Sequence, residues 1–316
     1  MDASISVERI EEAARLIDPV FLDTPQFDCE PLSRRLHVDV VLKVECVNPI
    51  RSFKGRGTDY LLHRLEPDTT SLVCASAGNF GQGMAHACRR AGRRLTVFAA
   101  TTASPIKVER MRDLGAEVLL DGADFDEAKA AAMRHANEHG ARYVEDGLLG
   151  PIAEGAGTIA RELTNATGPL DEIFVPLGNG SLINGMGTWL RAHSPSTRVI
   201  AVASRAAPAM QLSWESRTPV TAPSTTIADG IAVRVPVPEA LELMRGTVDE
   251  VMLISDDEMV AAMRMLFADA GVVVEPAGAA GLAAIAQRKG DLAGRRVATP
   301  LTGGNLTEQQ IRTWIL

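Results

Sequence analysis

Hydrophobic and polar positions along this chain change period many times, and most changes fall at a glycine, a proline or a capping residue. Val7, Ile10, Ala14 and Ile17 share one helical face, and Pro19 closes that helix. Residues 40–44 are β-branched and read as a strand, which leads through Asn48-Pro49 to a helix over about 58–65. Strands and helices then alternate. Residues 71–75, 95–99, 117–120 and 142–144 read as strands, with helices from the Gly78 loop through Ala91, from Ser104 to Leu114 and from Asp124 to His139. Ser104-Pro105 pairs a cap with a first-turn proline, and Asp124 with Glu127 resembles a capping box. The second half repeats the scheme, with strands at 172–175, 199–202, 251–254 and 297–301. Helices are predicted over 152–163, after the glycine-rich loop at Gly178, from Ser255 to Ala270 and from Glu275-Pro276 onward, while 218–237 reads as irregular. This alternation predicts an α/β fold of parallel sheets covered by helices on both faces. No long linker interrupts it, so two lobes would be joined by a chain that crosses between them twice.

Composition narrows the class. A 316-residue chain that is 46% hydrophobic and 23% charged can bury a large core. A net charge of −8 argues against nucleic acid or an anionic membrane as the main partner. Cys29, Cys46, Cys74 and Cys88 are scattered without a Cys-x-x-Cys pair and read as reduced core residues of a cytoplasmic protein. The first twelve residues are acidic and amphipathic, so no signal peptide is expected, and no apolar run is long enough to span a bilayer.

In open parallel sheets, ligands sit beyond the carboxyl ends of strands. Four predicted loops fit that place. The first holds Ser52-Phe53-Lys54-Gly55-Arg56-Gly57. A lysine between an aromatic ring and two glycines suits an amine that attacks a carbonyl, and we read Lys54 as the residue that holds pyridoxal phosphate as a Schiff base. The hexapeptide alone also fits a surface lysine in a glycine-rich turn, so the other loops decide. Gly178-Asn179-Gly180-Ser181-Leu182 lies between a strand and a helix, where free backbone N–H groups make a phosphate cradle. A dinucleotide fingerprint fails there, because Ile183 stands where a third glycine is needed and Ala203-Ser204 where an acid is needed. Ser76-Ala77-Gly78-Asn79 is a second cradle, suited to a carboxylate, and Thr302 of Thr302-Gly303-Gly304-Asn305 offers a hydroxyl to a ring nitrogen.

These motifs resemble, in order and spacing, those of the serine/threonine dehydratases and serine racemases, the fold type II pyridoxal-phosphate enzymes. The resemblance also takes in 226–230 and 275–279, and so covers nearly the whole chain. It implies two open, twisted, mostly parallel-sheet domains with the cofactor in the cleft between them. Residues 1–58 with 148–316 would form the large domain and 59–147 the small one. Lys54 would carry the cofactor and move the Cα proton, with Phe53 packed beside it. Asn79 would bond the ring hydroxyl, Gly178 to Leu182 would bind the phosphate, Thr302 would face the pyridine nitrogen, and Gly230 and Glu275 would border the ring. Ser52, Ser76, Ala77, Gly78 and Asn79 would meet the substrate. The implied reaction is an α,β-elimination that turns a β-hydroxy amino acid into a 2-oxo acid and ammonia, the leaving hydroxyl being protonated through the cofactor phosphate. A homodimer is the corresponding assembly. Because the chain stops at Leu316, no C-terminal regulatory domain of the biosynthetic threonine dehydratase type is expected.

Several departures from the family pattern cluster at the site. Ala77 stands where racemases have a serine, which favours elimination over racemisation. The usual divalent-cation ligands fall on Ala203 and Ala209, with Ala207 between them, so no metal site of that type is expected. Phe80 replaces a usual His, and Ile50-Arg51 a usual Thr-Gly; Arg51 fits either an acidic substrate side chain or an exposed arginine bonded to a neighbouring loop. His135-Ala136-Asn137-Glu138-His139 matches a zinc-peptidase pattern but sits at a helix C-terminus, where the dipole favours histidine. β-Replacement shares the chemistry of elimination up to its last step and stays open. A non-catalytic binding protein would have little use for Lys54, Asn79 and Thr302 together.

Overall fold

The computed structural model describes residues 4–66 and 70–316, so the first three residues of the N-terminal segment lie outside it. Two sheets organise the chain. The larger contains β1 (Gln26–Asp28), β2 (Asp39–Val44), β7 (Glu172–Pro176), β8 (Arg198–Ser204), β9 (Glu250–Ile254) and β10 (Arg296–Leu301) in the order β1-β2-β10-β7-β8-β9. Only the β1–β2 pair is antiparallel. The smaller contains β3 (Leu72–Ala75), β4 (Leu95–Ala99), β5 (Glu117–Leu120) and β6 (Arg142–Val144), all parallel, in the order β5-β4-β3-β6.

The interior strands are mostly apolar on both faces because both faces of the large sheet are covered, with Lys43 and Thr299 among the buried polar exceptions. Neighbouring residues feed two different cores. Leu42, Phe174, Ile200 and Val202 pack on one side with Met259 and Leu282, which come from the helices Asp256–Met265 and Pro276–Gln287. Val41, Ile173, Val175, Val199 and Ala201 pack on the other with Ile159, Ile183 and Trp189, from the helices Gly150–Ala166 and Ser181–His193. This is the side-chain alternation of a strand expressed as two cores.

The elements differ from expectation in a few places. The helix after β2 runs Lys54–Arg64, so the lysine motif is its first turn and not a loop ahead of it. Its glycines allow close packing. A Cβ on Gly55 would lie 2.3 Å from the Phe21 ring, and one on Gly57 would lie 2.3 Å from the Ile152 carbonyl. The helix from Asp256 turns into a π-helical stretch at Leu266–Ala270 before Gly271 ends it at φ 66°. Strand β1 and the helices Glu30–Leu36, Ala209–Ser216, Pro238–Thr247 and Glu308–Trp314 are elements beyond those predicted from the sequence. The Asp124 cap accepts from the N–H groups of Asp126 and Glu127, but the Glu127 carboxylate bonds Ala123 N, so the box is not reciprocal. At Ser255–Glu258 both halves of the box form. All four cysteines are free and buried.

Candidate active site

The four loops singled out in the sequence follow the carboxyl ends of β2, β3, β7 and β10. The β2 and β10 loops are stitched together. Ser52 and Gly303 form an isolated antiparallel bridge, and the Thr302 carbonyl accepts from Phe53 N at 3.1 Å and Ser52 Oγ at 3.2 Å. Ser52 Oγ in turn accepts from Lys54 N at 3.3 Å, which fixes the helix start. Ser52 is therefore a buried structural link at this position.

From that start, Lys54 projects its amine over the Phe53 ring, 4.7 Å from the centroid. Its Nζ lies 2.6 Å from Asp146 Oδ2 and 3.5 Å from Ser181 Oγ. Ser181 opens the helix Ser181–His193, and its hydroxyl donates to Asp146 Oδ1 at 3.0 Å. The loop before it needs its glycines. Gly180 has φ 97°, and a Cβ on Gly178 would lie 2.7 Å from the Gly230 carbonyl. The first helical N–H groups, at Ser181 and Leu182, have no intrahelical carbonyl to pair with, the arrangement that a phosphate cradle uses. Gly147 seals the other side, since a Cβ there would meet the Asn179 carbonyl at 2.7 Å.

A second cluster surrounds Glu275. Its Oε1 accepts from Asn79 Nδ2 at 2.6 Å and its Oε2 from Asn305 N at 3.1 Å. Asn305 Nδ2 donates to Asn79 Oδ1 at 2.8 Å, and Arg110 Nη1 donates to Asn305 Oδ1 at 2.6 Å. Burial, and next the charge of Asp229, push the Glu275 carboxyl up to about 7, against the pull of Lys107 and of its own hydrogen bonds. Gly303 crowds this carboxylate, since a Cβ there would be 2.5 Å from Oε1, and Gly230 borders it, a Cβ there lying 3.7 Å away in ordinary contact. The second N–H of the Asn79 amide has no hydrogen-bond partner among the described residues. The Thr302 side chain is buried, and its hydroxyl has no hydrogen-bond partner among the described residues.

The loop after β3 is partly committed to its own helix. Ser76 Oγ accepts from Gly78 N at 3.2 Å and Gly81 N at 2.9 Å, and Ser76 N donates to Phe98 O. Among the described residues, Ala77 N and Asn79 N have no hydrogen-bond partner. Phe80 points into the core beside Leu61 and Met84. Arg51 lies at φ 51°, with its carbonyl accepting from Gly304 N. Ala203, Ala207 and Ala209 are buried and bring no oxygen side chain to the loop after β8. The His135 and His139 rings stack on one another 4.1 Å apart, away from these loops.

Sequence reasoning missed two residues here. Asn305 was visible only as the end of a motif, and Asp146 carried no motif at all. The usable signal for Asp146 was its place just past β6, at the same carboxyl edge as the other site loops.

An amine beside an anion cradle, with a separate hydroxyl and amide for a ring, fits pyridoxal phosphate. The sequence pattern of that family, described as pyridoxal-phosphate dependent enzyme, matches residues 17–303. The chain therefore belongs to the pyridoxal-phosphate dependent enzymes, in the serine/threonine dehydratase–serine racemase group of fold type II. Among curated relatives, the L-threonine dehydratase biosynthetic IlvA of Haemophilus influenzae is 32% identical over 309 residues, covering 96% of this chain and 59% of that protein. The L-threonine ammonia-lyase of Thermotoga maritima is 34% identical over 310 residues, 97% of this chain and 77% of that one. Among solved structures, maize serine racemase superposes with a TM-score of 0.92 at 26% identity, over 98% of this chain and 96% of that one. The chain spans about three fifths of the length of the first of these relatives.

Proposed function

We propose that this protein is a pyridoxal-phosphate-dependent ammonia-lyase that converts a β-hydroxy amino acid such as L-threonine or L-serine to a 2-oxo acid and ammonia. The observation that carries the reading is the convergence of the Lys54 amine, the Ser181 helix start and the Asn79–Glu275–Asn305 cluster with Thr302. Relatives named for threonine dehydration support it. Gly178 to Leu182 would hold the phosphate, Asn79 the ring hydroxyl and Thr302 the ring nitrogen, with Phe53, Gly230 and Glu275 around them.

Bound pyridoxal phosphate would supply an electron sink for the pair left when a Cα–H bond breaks. Lys54 Nζ is the base that takes that proton. Ala77 and Asn79 N–H groups orient the substrate carboxylate. Ala77 puts a methyl group on the opposite side, where no proton can be given, so the chemistry is confined to the Lys54 face. The enamine released by loss of water hydrolyses to the oxo acid and ammonia. A neutral hydroxyl at Thr302 leaves the ring nitrogen without a full charge, which disfavours transamination.

We also propose residues 59–147 as the small domain and 1–58 with 148–316 as the large one, supported by the small sheet lying wholly between Leu72 and Val144. A cytoplasmic homodimer is the matching expectation, checked by light scattering. Among the described residues no helix is long and apolar enough to cross a membrane.

The test is oxo-acid and ammonia release across L- and D-serine, L- and D-threonine, and the threo and erythro 3-hydroxyaspartates and phenylserines. Release from at least one supports the reading. Formation of a new amino acid with an added thiol, and no oxo acid, would move the assignment to β-replacement.

A further inference from the structure

Many members of this family bind a divalent cation in the loop after β8, at the positions that are Ala203 and Ala209 here, with residue 207 adding a carbonyl. The donor set of this chain does not fit such an ion. A divalent cation takes about six oxygen ligands, carboxylates among them. Ala203, Ala207 and Ala209 are buried and present only methyl groups, and Ala203 packs in the core with Leu182 and Met210. The loop is fastened from within instead. The buried Ser204 accepts from Ala206 N on its hydroxyl at 3.2 Å and from Ala207 N on its carbonyl at 3.0 Å. Arg205 ties the loop to β9, its N–H donating to the Ile254 carbonyl at 2.7 Å and its Nη2 to the Leu253 carbonyl at 3.2 Å. The Ala206 carbonyl then accepts from Thr225 N at 2.9 Å, just ahead of residues 226–230. There the Asp256 carboxylate takes over, accepting from Thr226 Oγ1 at 2.5 Å and from Ile227 N at 3.0 Å. At the far end, Gly230 sets its carbonyl against the phosphate loop, 2.7 Å from where a Cβ on Gly178 would lie. The loop after β8 thus supports a segment that borders the cofactor site, through groups that a bound cofactor does not use.

We propose that this loop braces residues 225–230 without a divalent cation, with Ser204 and Arg205 as positioning residues in the ion's place. A metal ion dissociates, so a loop that it holds loosens on chelation. Donors carried on the chain itself do not leave, and this brace is present at any cation concentration. The inference concerns how the loop is held, and it stands whichever β-hydroxy amino acid is the substrate.

Two measurements on the holoenzyme test this. After dialysis against a chelator, magnesium, calcium or manganese is added up to about 10 mM, above the range of weak protein calcium sites. The wild-type Tm is expected to stay within about 1 °C, whereas a site that fills would raise it. The second measurement uses Ser204→Ala, which removes the hydroxyl bond, and Arg205→Met, which removes the side-chain bond to Leu253. The Kd of pyridoxal phosphate in each holoenzyme is read from imine absorbance in equilibrium dialysis well below Tm. A cofactor affinity about fivefold weaker than wild type is expected, the size of one lost hydrogen bond. None of the three cations recovers it, and Ser204→Thr restores most of it. A merely structural role would lower Tm and leave the cofactor Kd where wild type has it. A saturable rise in Tm with any of the cations, or a wild-type cofactor Kd in both variants, overturns the proposal. Where neither variant folds, the cation titration of the wild type still decides.

Discussion

Arg56, two residues past the reactive lysine, shows how the motif is anchored. Its guanidinium is fully buried and bonds both oxygens of Glu45, at 2.9 Å each, and both of Glu162, at 2.5 and 2.8 Å. Lys43 Nζ adds a 2.6 Å bond to Glu162 Oε2. Burial alone would raise the Glu162 carboxyl, but Arg56 and Lys43 outweigh it and hold it down at about 2. Replacing Arg56 by Met strands the buried Glu45 carboxylate and leaves Glu162 with Lys43 as its one cationic partner, so a loss of about 3–5 kcal/mol is expected in urea unfolding of the apoprotein. A loss below about 1 kcal/mol, the range of an exposed pair, would contradict this. Glu275 has the opposite sign. Its folded-state value of about 7 exceeds its ordinary 4.5, so the folded form binds the extra proton. That contribution is complete below the ordinary value and is lost as pH rises through about 7, amounting to roughly 3 kcal/mol by linkage. Glu275→Gln cannot titrate, so wild-type apoprotein should lose stability relative to this variant between about pH 5 and 8. Parallel stability curves for the two proteins across that range would rule the account out.

At the scale of elements, the strands and capped helices were legible because their signals are local. β-Branched runs marked β2 and β8, and Ser255 with Glu258 marked a helix start that forms both halves of its box. The site loops were legible as glycines and hydroxyls at strand ends, and the structure brings the loops of β2 and β10 into direct contact. What the sequence hid depends on partners far along the chain. The helix Lys54–Arg64 begins four residues early because Gly55 and Gly57 pack against Phe21 and Ile152, which single-segment propensity cannot see. Likewise, Gly281 lets the helix Pro276–Gln287 rest on the sheet, where a Cβ would lie 1.9 Å from Thr299 Oγ1 and 2.6 Å from the Phe174 carbonyl. Asp146 was invisible for the same reason: its meaning lies in a lysine 92 positions away.

For the whole molecule, the question is what sets the two proposed domains against each other around the site. Polar links between them include Arg110 to Asn305, Lys107 to Asp229, and Arg234 to Asp124 and Asp126, beside the Asn79–Glu275 and Lys54–Asp146 pairs of the site. The first two border a cavity of about 190 Å³ whose walls include Ser104, Glu275 and Leu306. Such links were out of reach of the sequence, because residues 218–237 read as irregular apart from the 226–230 motif, which names no partner for Asp229 or Arg234. The Arg234 pairs are exposed, and pairs of that kind contribute little to stability. Their use is to hold one arrangement of the domains, so their loss should appear in substrate binding and not in unfolding. Arg234→Ala should raise KM about threefold at low salt with kcat and Tm nearly unchanged, since the links lost are worth less than about 1 kcal/mol. Near 1 M salt, where charges are screened beyond about 3 Å, wild type should drift towards the variant's KM while the variant itself moves little. A KM indifferent to both the substitution and the salt would mean that the domains are set by the buried contacts of the helices Lys54–Arg64 and Gly150–Ala166 instead.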